Sequence, residues 1–353
     1  MVKFRISFTL CVKLLSLDLS PEAMAFKFPI PTPADHPEDI ELDIYPLLRI
    51  FKDGKIERFL GTATVSAGTE PATGVQSKDV ILSPEDEVGV RLYLPKDARR
   101  EKKLPLVVYF HGGAFCANAV VASVNYRLAP EHPLPAAFED SWRILKWASA
   151  SHSEGSSLSP EPVAEPSLSE YVDFNKVFLA GDDAGGNIAH NMAVRAGKEG
   201  LPGAKLHGII LSHPYFSGVE PVENERDLPP ESLAMHEKIW KLVHPGMLAV
   251  WDYPVISWVK EDLSKAREEE EEVDQYGRLL ASTAWINAMQ DRRVGYGEVM
   301  RRRGKVPVME IEAFRSVGME HVFHLFDPDC EEAKEMMKMV VEFINNSGQS
   351  ADL

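Results

Sequence analysis

The residues best placed to do chemistry in this sequence lie at one sharp turn. Residues 177–180 are four apolar residues that predict a buried strand, and residues 187–197 predict a helix with apolar positions on one face. Between them, Gly181 and Gly185 predict a tight turn. Small residues two positions before and after the centre let the backbone turn sharply and push one side chain outward. That side chain is Asp183, so the turn presents a carboxylate where a serine nucleophile would be expected.

A second motif supplies backbone amides. Residues 104–110 form a nearly continuous apolar run, which is typical of a strand buried on both faces. The run leads into His111, Gly112 and Gly113, whose glycines let backbone N–H groups approach a developing negative charge. The amide of Ala184, directly after the outward-pointing residue, would join them. The sequence therefore predicts an oxyanion hole formed by Gly112, Gly113 and Ala184.

Further motifs follow in order along the chain. Residues 125–133 read Asn-Tyr-Arg-Leu-Ala-Pro-Glu-His-Pro, and residues 318–326 read Gly-Met-Glu-His-Val-Phe-His-Leu-Phe. With the nucleophile elbow around Asp183, the stretch from about 40 to 346 resembles the plant carboxylesterases, a hormone-sensitive-lipase-like branch of the α/β-hydrolases that includes the gibberellin receptor. The resemblance implies an α/β-hydrolase fold, with a mostly parallel central sheet flanked by helices and a small helical cap.

The resemblance also assigns three catalytic positions. Asp183 takes the nucleophile position, Asn287 the acid position and His321 the position of the base, so only the histidine matches the family. A carboxylate that attacks an ester would form an anhydride, and this adduct should collapse backwards because carboxylate leaves more readily than alkoxide. The acid change matters less, since asparagine can orient a histidine but cannot stabilise its charged form.

Three functions remain open at this point. The chain could be a weak or inactive carboxylesterase, which would make it a pseudoenzyme. It could be a hydrolase whose Asp183 attacks saturated carbon, as in epoxide hydrolases. It could also be a non-catalytic small-molecule binding protein of the gibberellin-receptor type. The implied partner is a small-molecule ester or a hormone-like ligand, and no metal or organic cofactor is implied.

Charge and cysteine content bear on nucleic-acid binding, on metal sites and on the cellular compartment. The net charge of -16 argues against nucleic-acid binding, because a phosphate binder needs a basic face. Only three cysteines occur, Cys11, Cys116 and Cys330, and no pair has metal-ligand spacing. They favour a reducing compartment, and we expect the protein in the cytoplasm.

The predicted organisation is an amino-terminal extension and linker, 1–38, followed by one hydrolase domain, 39–348. Cap contributions are expected from about 40–60 and 216–260. The apolar run 6–19 after Lys3 and Arg5 has the outline of a targeting segment, although Lys13 interrupts it and it is too short to span a membrane.

One connection is unusually short. Residues 120–124 predict a strand next to the run 104–110, but only 116–119 separate it from the preceding glycine loop. Parallel neighbours need a crossover of about a dozen residues, usually a helix. The sequence therefore predicts that a segment is missing, through a mispredicted exon or a true deletion. If the deletion is real, we expect a poorly held oxyanion loop and a strained central sheet.

Overall fold

The computed structural model describes residues 37–45, 47–60, 65–116, 124–151, 165–216, 226, 230–246, 278–284, 312–316, 319 and 321–346. Residues 1–36 of the predicted extension, Asn287 and residues 117–123 lie outside these ranges. Of the helices within them, none is both long and apolar enough to cross a membrane.

A five-stranded parallel sheet forms the centre of the fold, in the order β11-β10-β9-β8-β6. Its strands are β6 (Leu104–Phe110), β8 (Val172–Asp182), β9 (Leu206–Ser212), β10 (Leu279–Ala284) and β11 (Glu312–Ser316). Because all five strands run in the same direction, their carboxyl ends meet at one edge, where ligands bind in open α/β sheets.

Two smaller antiparallel sheets accompany it. The first contains β1 (Ile40–Ile44), β2 (Leu48–Phe51) and β3 (Ile56–Arg58). The second contains β4 (Gln76–Ser83), β5 (Val88–Leu94) and the two-residue β7 (Val124–Asn125), in that order. Among the described residues no ladder joins β7 to β6, so the second sheet and the central sheet remain separate.

The helices are α1 (Ala136–Ala150), α2 (Pro166–Tyr171), α3 (Ala184–Glu199), α4 (Pro230–Val243), α5 (Phe323–Phe326) and α6 (Glu331–Asn345). Helix α3 packs on β8 and β9 through fully buried Ile188, Ala189 and Ala193. Helix α6 covers β8 to β10 through Met337, Val340 and Phe343. These contacts hold the carboxyl ends of the strands in fixed positions.

Most predicted elements are confirmed, including the strand 104–110, the antiparallel pair β4 and β5, and the closing helix α6. Two predictions were wrong in detail. Helix α3 begins at Ala184, three residues before its predicted start, because Gly185 and Gly186 are helical. Residues Leu104 to Val107 are only partly buried, whereas the apolar run predicted a strand buried on both faces along its whole length.

Candidate active site

Asp183 sits at a strained turn between β8 and α3. Its backbone has φ 48° and ψ -120°, which a residue with a side chain rarely adopts. Two hydrogen bonds anchor this conformation: the Asp183 amide donates to Ser212 O at 3.0 Å, and the Tyr215 amide donates to Asp183 O at 2.8 Å. The turn therefore holds the Asp183 side chain at the carboxyl edge of the sheet.

The glycines on either side are required by close approach. A Cβ on Gly181 would lie 2.2 Å from Gly185 O, and a Cβ on Gly185 would lie 1.9 Å from Phe110 O. Both distances are far below van der Waals contact, so either substitution would push the strand and the helix apart. The spacing of these glycines, which was visible in the sequence, is what permits the turn.

The glycine loop after β6 points its amides at this side chain. Three consecutive residues have positive φ: Gly113 at 101°, Ala114 at 51° and Phe115 at 62°. Successive N–H groups in such a conformation can converge on one anion. The amides of Gly113 and Ala114 donate to Asp183 Oδ2 at 3.1 and 3.0 Å. The Gly112 amide instead donates to Asp182 Oδ1 at 3.2 Å.

The other oxygen of Asp183 faces His321, whose Nε2 lies 3.1 Å from Asp183 Oδ1. Burial alone would raise the pKa of Asp183. The hydrogen bond and charge of His321, together with the amides of Ala114 and Ala184, outweigh burial and hold the pKa well below its usual range. The Asp183 carboxylate is therefore ionised at neutral pH and is bonded on both oxygens.

His321 reaches the site on a loop that is fastened by a second histidine. The Val322 amide donates to His213 Nδ1 at 2.7 Å, and the His213 amide donates to Ser282 O at 3.0 Å. His213 is fully buried and lies between the rings of His321 and His324. Through these contacts, His213 supports the loop that carries His321.

Asp182 is also buried, but its surroundings differ from those of Asp183. Its Oδ1 accepts hydrogen bonds from the Tyr109 hydroxyl and from the Gly112 amide. Burial raises the pKa of Asp182 to about 7, with the neighbouring charge of Asp183 acting in the same direction and these hydrogen bonds opposing it. Sequence reasoning did not single out Asp182, and no local pattern marks it.

Cys116, another potentially nucleophilic residue, follows the glycine loop and is buried. Its pKa is raised to about 12, mainly by burial, so the thiol is protonated at neutral pH. Its backbone carbonyl accepts a hydrogen bond from Arg58 Nε at 2.9 Å, and Arg58 also donates to Ala129 O and Glu131. Arg58 thus ties the hairpin of β2 and β3 to the end of the glycine loop.

Aromatic side chains surround the turn on the side of helix α4. The rings of Tyr215 and Trp240 stack with a centroid distance of 4.9 Å, and Phe115 contacts Trp240 at 6.0 Å. Within the described ranges, no group of three or more His, Cys, Asp or Glu side chains could hold a metal ion. Asn287, the predicted acid position, lies outside those ranges.

Comparison with known proteins agrees with this arrangement. A family model described as the alpha/beta hydrolase fold matches residues 107–325. Among curated relatives, a 2-hydroxyisoflavanone dehydratase of Glycyrrhiza echinata is 36% identical over 335 residues, covering 87% of this chain and 97% of the relative. Probable carboxylesterase 13 of Arabidopsis thaliana is also 36% identical, with 87% and 98% covered.

Solved structures point the same way. An esterase of Pyrobaculum calidifontis aligns with a TM-score of 0.59 and 25% identity, covering 78% of this chain and 87% of that one. The carboxylesterase EstE1, cloned from a metagenomic library, aligns with a TM-score of 0.56 at 23% identity, covering 81% and 92%, which shows the shared fold. The chain therefore belongs to the plant carboxylesterase family of hormone-sensitive-lipase-like α/β-hydrolases.

Proposed function

We propose that this carboxylesterase-like α/β-hydrolase is weak or inactive toward esters because its own Asp183 carboxylate occupies the oxyanion hole. The observation that carries the proposal is the pair of amides, from Gly113 and Ala114, that donate to Asp183 Oδ2. An ester carbonyl would have to displace an ionised, charge-assisted acceptor from these donors, and such hydrogen bonds are among the strong ones.

The chemistry of the substituted residue acts in the same direction. Serine esterases depend on a hydroxyl whose proton passes to histidine while the oxygen attacks the carbonyl. Asp183 has no proton to give at neutral pH, and the anhydride that it would form returns to reactants. Asn287 at the acid position removes the charge that would stabilise a protonated His321. We therefore expect ester turnover near the level left by binding alone.

The test is hydrolysis of p-nitrophenyl acetate and butyrate by the purified chain and by Asp183→Ser. Asp183→Ser has a serine nucleophile and a histidine but no acid. Its kcat/KM should exceed that of the parent by about 10²-fold, because loss of the nucleophile lowers the rate by about 10⁶ and loss of the acid by about 10⁴. Asp97→Ser, at an exposed position remote from the site, is the matched control and should leave the rate unchanged.

Addition of His321→Ala to Asp183→Ser should return the rate to the parent level. If instead the parent hydrolyses these esters as fast as Asp183→Ser, and His321→Ala abolishes that activity, Asp183 does not disable the site and the proposal is wrong.

A second candidate function, epoxide hydrolysis, is favoured by the different partners of the two Asp183 carboxylate oxygens. With Oδ2 held by amides, Oδ1 lies beside His321 and could attack the saturated carbon of an epoxide. The C–O bond of the epoxide would break as the Asp183 ester forms, and the released alkoxide would take a proton from water. A second water, deprotonated at His321, would then attack the ester carbonyl and release the diol and free Asp183. Single turnover in H₂¹⁸O should place ¹⁸O in Asp183, and unlabelled Asp183 after repeated exposure to styrene oxide would exclude this route.

The third possibility, a non-catalytic binding protein, is tested by measuring ligand binding together with turnover. A hormone-like ligand that binds saturably without being changed would support a binding protein of the gibberellin-receptor type.

Because two curated relatives are named 2-hydroxyisoflavanone dehydratases, a 2-hydroxyisoflavanone should also be tested as a substrate. Loss of water from such a substrate needs an acid and a base but no covalent nucleophile, and the pair of Asp183 and His321 could supply both.

A further inference from the structure

A cavity of about 540 Å³ lies between strands β5 and β6. Its walls include Leu92 of β5, Leu106 of β6 and Ile344 of α6. Among its described lining residues, none belongs to the turn around Asp183, to the glycine loop or to the loop that carries His321. Ligand pockets span about 300 to 1,000 Å³, so this cavity is large enough for a second small-molecule site. We call it the β5–β6 cavity.

The inner part of the β5–β6 cavity is apolar. Val108 and Ile144 line it and are buried. Tyr109 also lines it, but its hydroxyl is already bonded to Asp182. Strand β6 borders the cavity from Leu104 to Tyr109, a length of about 16 Å at the rise of a β-strand. An extended alkyl chain of medium length fits this span, and its burial is favourable because apolar surface leaves water.

The connection between β5 and β6, residues 95–103, forms a basic end of the cavity. It contains five basic and two acidic residues, in a chain whose net charge is -16. Arg99 and Lys102 of this connection are exposed and border the cavity. Arg99 forms no ion pair with any other residue that the structure describes. This end of the cavity therefore attracts a negatively charged group.

Two further cations border the cavity, but each already has an acidic partner. Lys78 Nζ lies 3.0 Å from Glu165 Oε2, and Arg91 Nε lies 2.6 Å from Asp79 Oδ1. These pairs leave the Arg99 guanidinium as the group to which an anionic ligand can bind.

We propose that the β5–β6 cavity binds a medium-chain fatty carboxylate, with its alkyl chain between the apolar walls and its carboxylate at Arg99. A guanidinium presents donors in a fork that matches a carboxylate. Because Arg99 is exposed, water weakens this ion pair, and most of the affinity comes from burial of the chain. The cavity does not include the site at Asp183, so the proposal does not depend on the proposed function.

The test is titration calorimetry of the full chain with sodium decanoate, at low ionic strength and below the concentration at which decanoate forms micelles. One equivalent should bind saturably. Arg99→Glu should weaken binding by about fivefold or more, because it places a negative charge beside the carboxylate. Lys338→Glu makes the same change of charge at an exposed position of α6 and should leave the affinity unchanged. Uncharged 1-decanol should bind Arg99→Glu and the parent equally.

Two measurements locate the ligand. Leu92→Trp places a large side chain in the cavity and should abolish decanoate binding. In the parent, decanoate should slow amide hydrogen exchange, measured by mass spectrometry, more in β5 and β6 than in α3. The exchange measurement locates the ligand even if Leu92→Trp does not fold.

The proposal is overturned if decanoate does not bind saturably, or if it binds Arg99→Glu as tightly as the parent. Equal affinity for decanoate and 1-decanol would also overturn it, since the cavity would then recognise no head group. Exchange that slows mainly in α3 would place the ligand at the Asp183 site and would contradict it as well.

Discussion

Asp182 and Asp183 are neighbours in sequence, both are buried, and their ionisation is shifted in opposite directions. The pKa of Asp182 is raised to about 7, because burial and the charge of Asp183 outweigh its two hydrogen bonds. The pKa of Asp183 is lowered, because the partners of its carboxylate outweigh burial. The difference comes from the backbone turn, which points Asp182 at Tyr109 and the Gly112 amide. It points Asp183 at His321 and at the amides of Gly113 and Ala114.

Under our proposal, one substitution disables the site and leaves the fold intact. The donors that would stabilise a transition-state oxyanion also stabilise a resident carboxylate, since both are anions. Asp183 needs no rearrangement of the loop to use them. Under our proposal, the chain keeps the geometry of an esterase and fills it with its own side chain.

The largest effect should come from restoring the catalytic acid. In the Asp183→Ser background, adding Asn287→Asp should raise kcat/KM for p-nitrophenyl butyrate by up to about 10⁴-fold, because a charged acid fixes the tautomer of His321 and stabilises its protonated form. Steady-state kinetics measures it. Asn287→Asp in the parent background should produce no gain, since Asp183 still fills the site. A gain there would show that the acid alone limits the reaction.

The next effect concerns the stability supplied by Asp183. At pH 8, Asp183→Asn should lower the free energy of unfolding by about 2 to 4 kcal/mol, because the hydrogen bonds that the Gly113 and Ala114 amides and His321 make to an ionised carboxylate are lost or weakened. Urea unfolding followed by circular dichroism gives the value. An unchanged or increased free energy of unfolding would show that the Asp183 carboxylate does not stabilise the fold, and the contrast with Asp182 would fail.

Asparagine at Asp182 should have the opposite effect on stability. As pH rises, the parent should lose free energy of unfolding relative to Asp182→Asn. Its folded pKa, about 7, lies above the ordinary value of 3.8, so between these values the folded protein holds a proton that the unfolded chain has released. Stability from this group is therefore present at low pH and is lost as pH rises through 7. Relative to Asp182→Asn, the parent should lose roughly 1.4 kcal/mol between pH 6 and pH 8.

The two proteins are compared at each pH by urea unfolding, so that the buried histidines, which titrate in both, cancel. Asparagine keeps the acceptor for Tyr109 and Gly112, which makes it a close control for the charge. Parallel stability curves for the parent and Asp182→Asn would show that Asp182 does not titrate in this range.

The sequence predicted much of this arrangement. Gly181 and Gly185 indicated the turn, the strand 104–110 indicated where the glycine loop begins, and the structure brings Asp183, Gly113 and His321 together. Each of these rests on local spacing in a strand or a turn, which a sequence displays directly.

Other features depend on contacts that no local pattern records. Ala114, rather than Gly112, shares Asp183 with Gly113, because three successive positive φ angles rotate the loop. The pairing of Tyr109 with Asp182 joins residues 73 positions apart. The short connection after Cys116 was visible in the sequence, whereas the separation of the described strands into a β4-β5-β7 sheet and a central sheet required the strand registers.

Labelling with a fluorophosphonate tests the central claim most directly, because this reagent requires both a nucleophile at position 183 and an oxyanion hole open to its phosphoryl oxygen. Intact-mass measurement should find no adduct on the parent and one equivalent on Asp183→Ser, with the label mapped to position 183. If the parent is labelled at that position, or if folded Asp183→Ser remains unlabelled, the Asp183 carboxylate is not what closes this site.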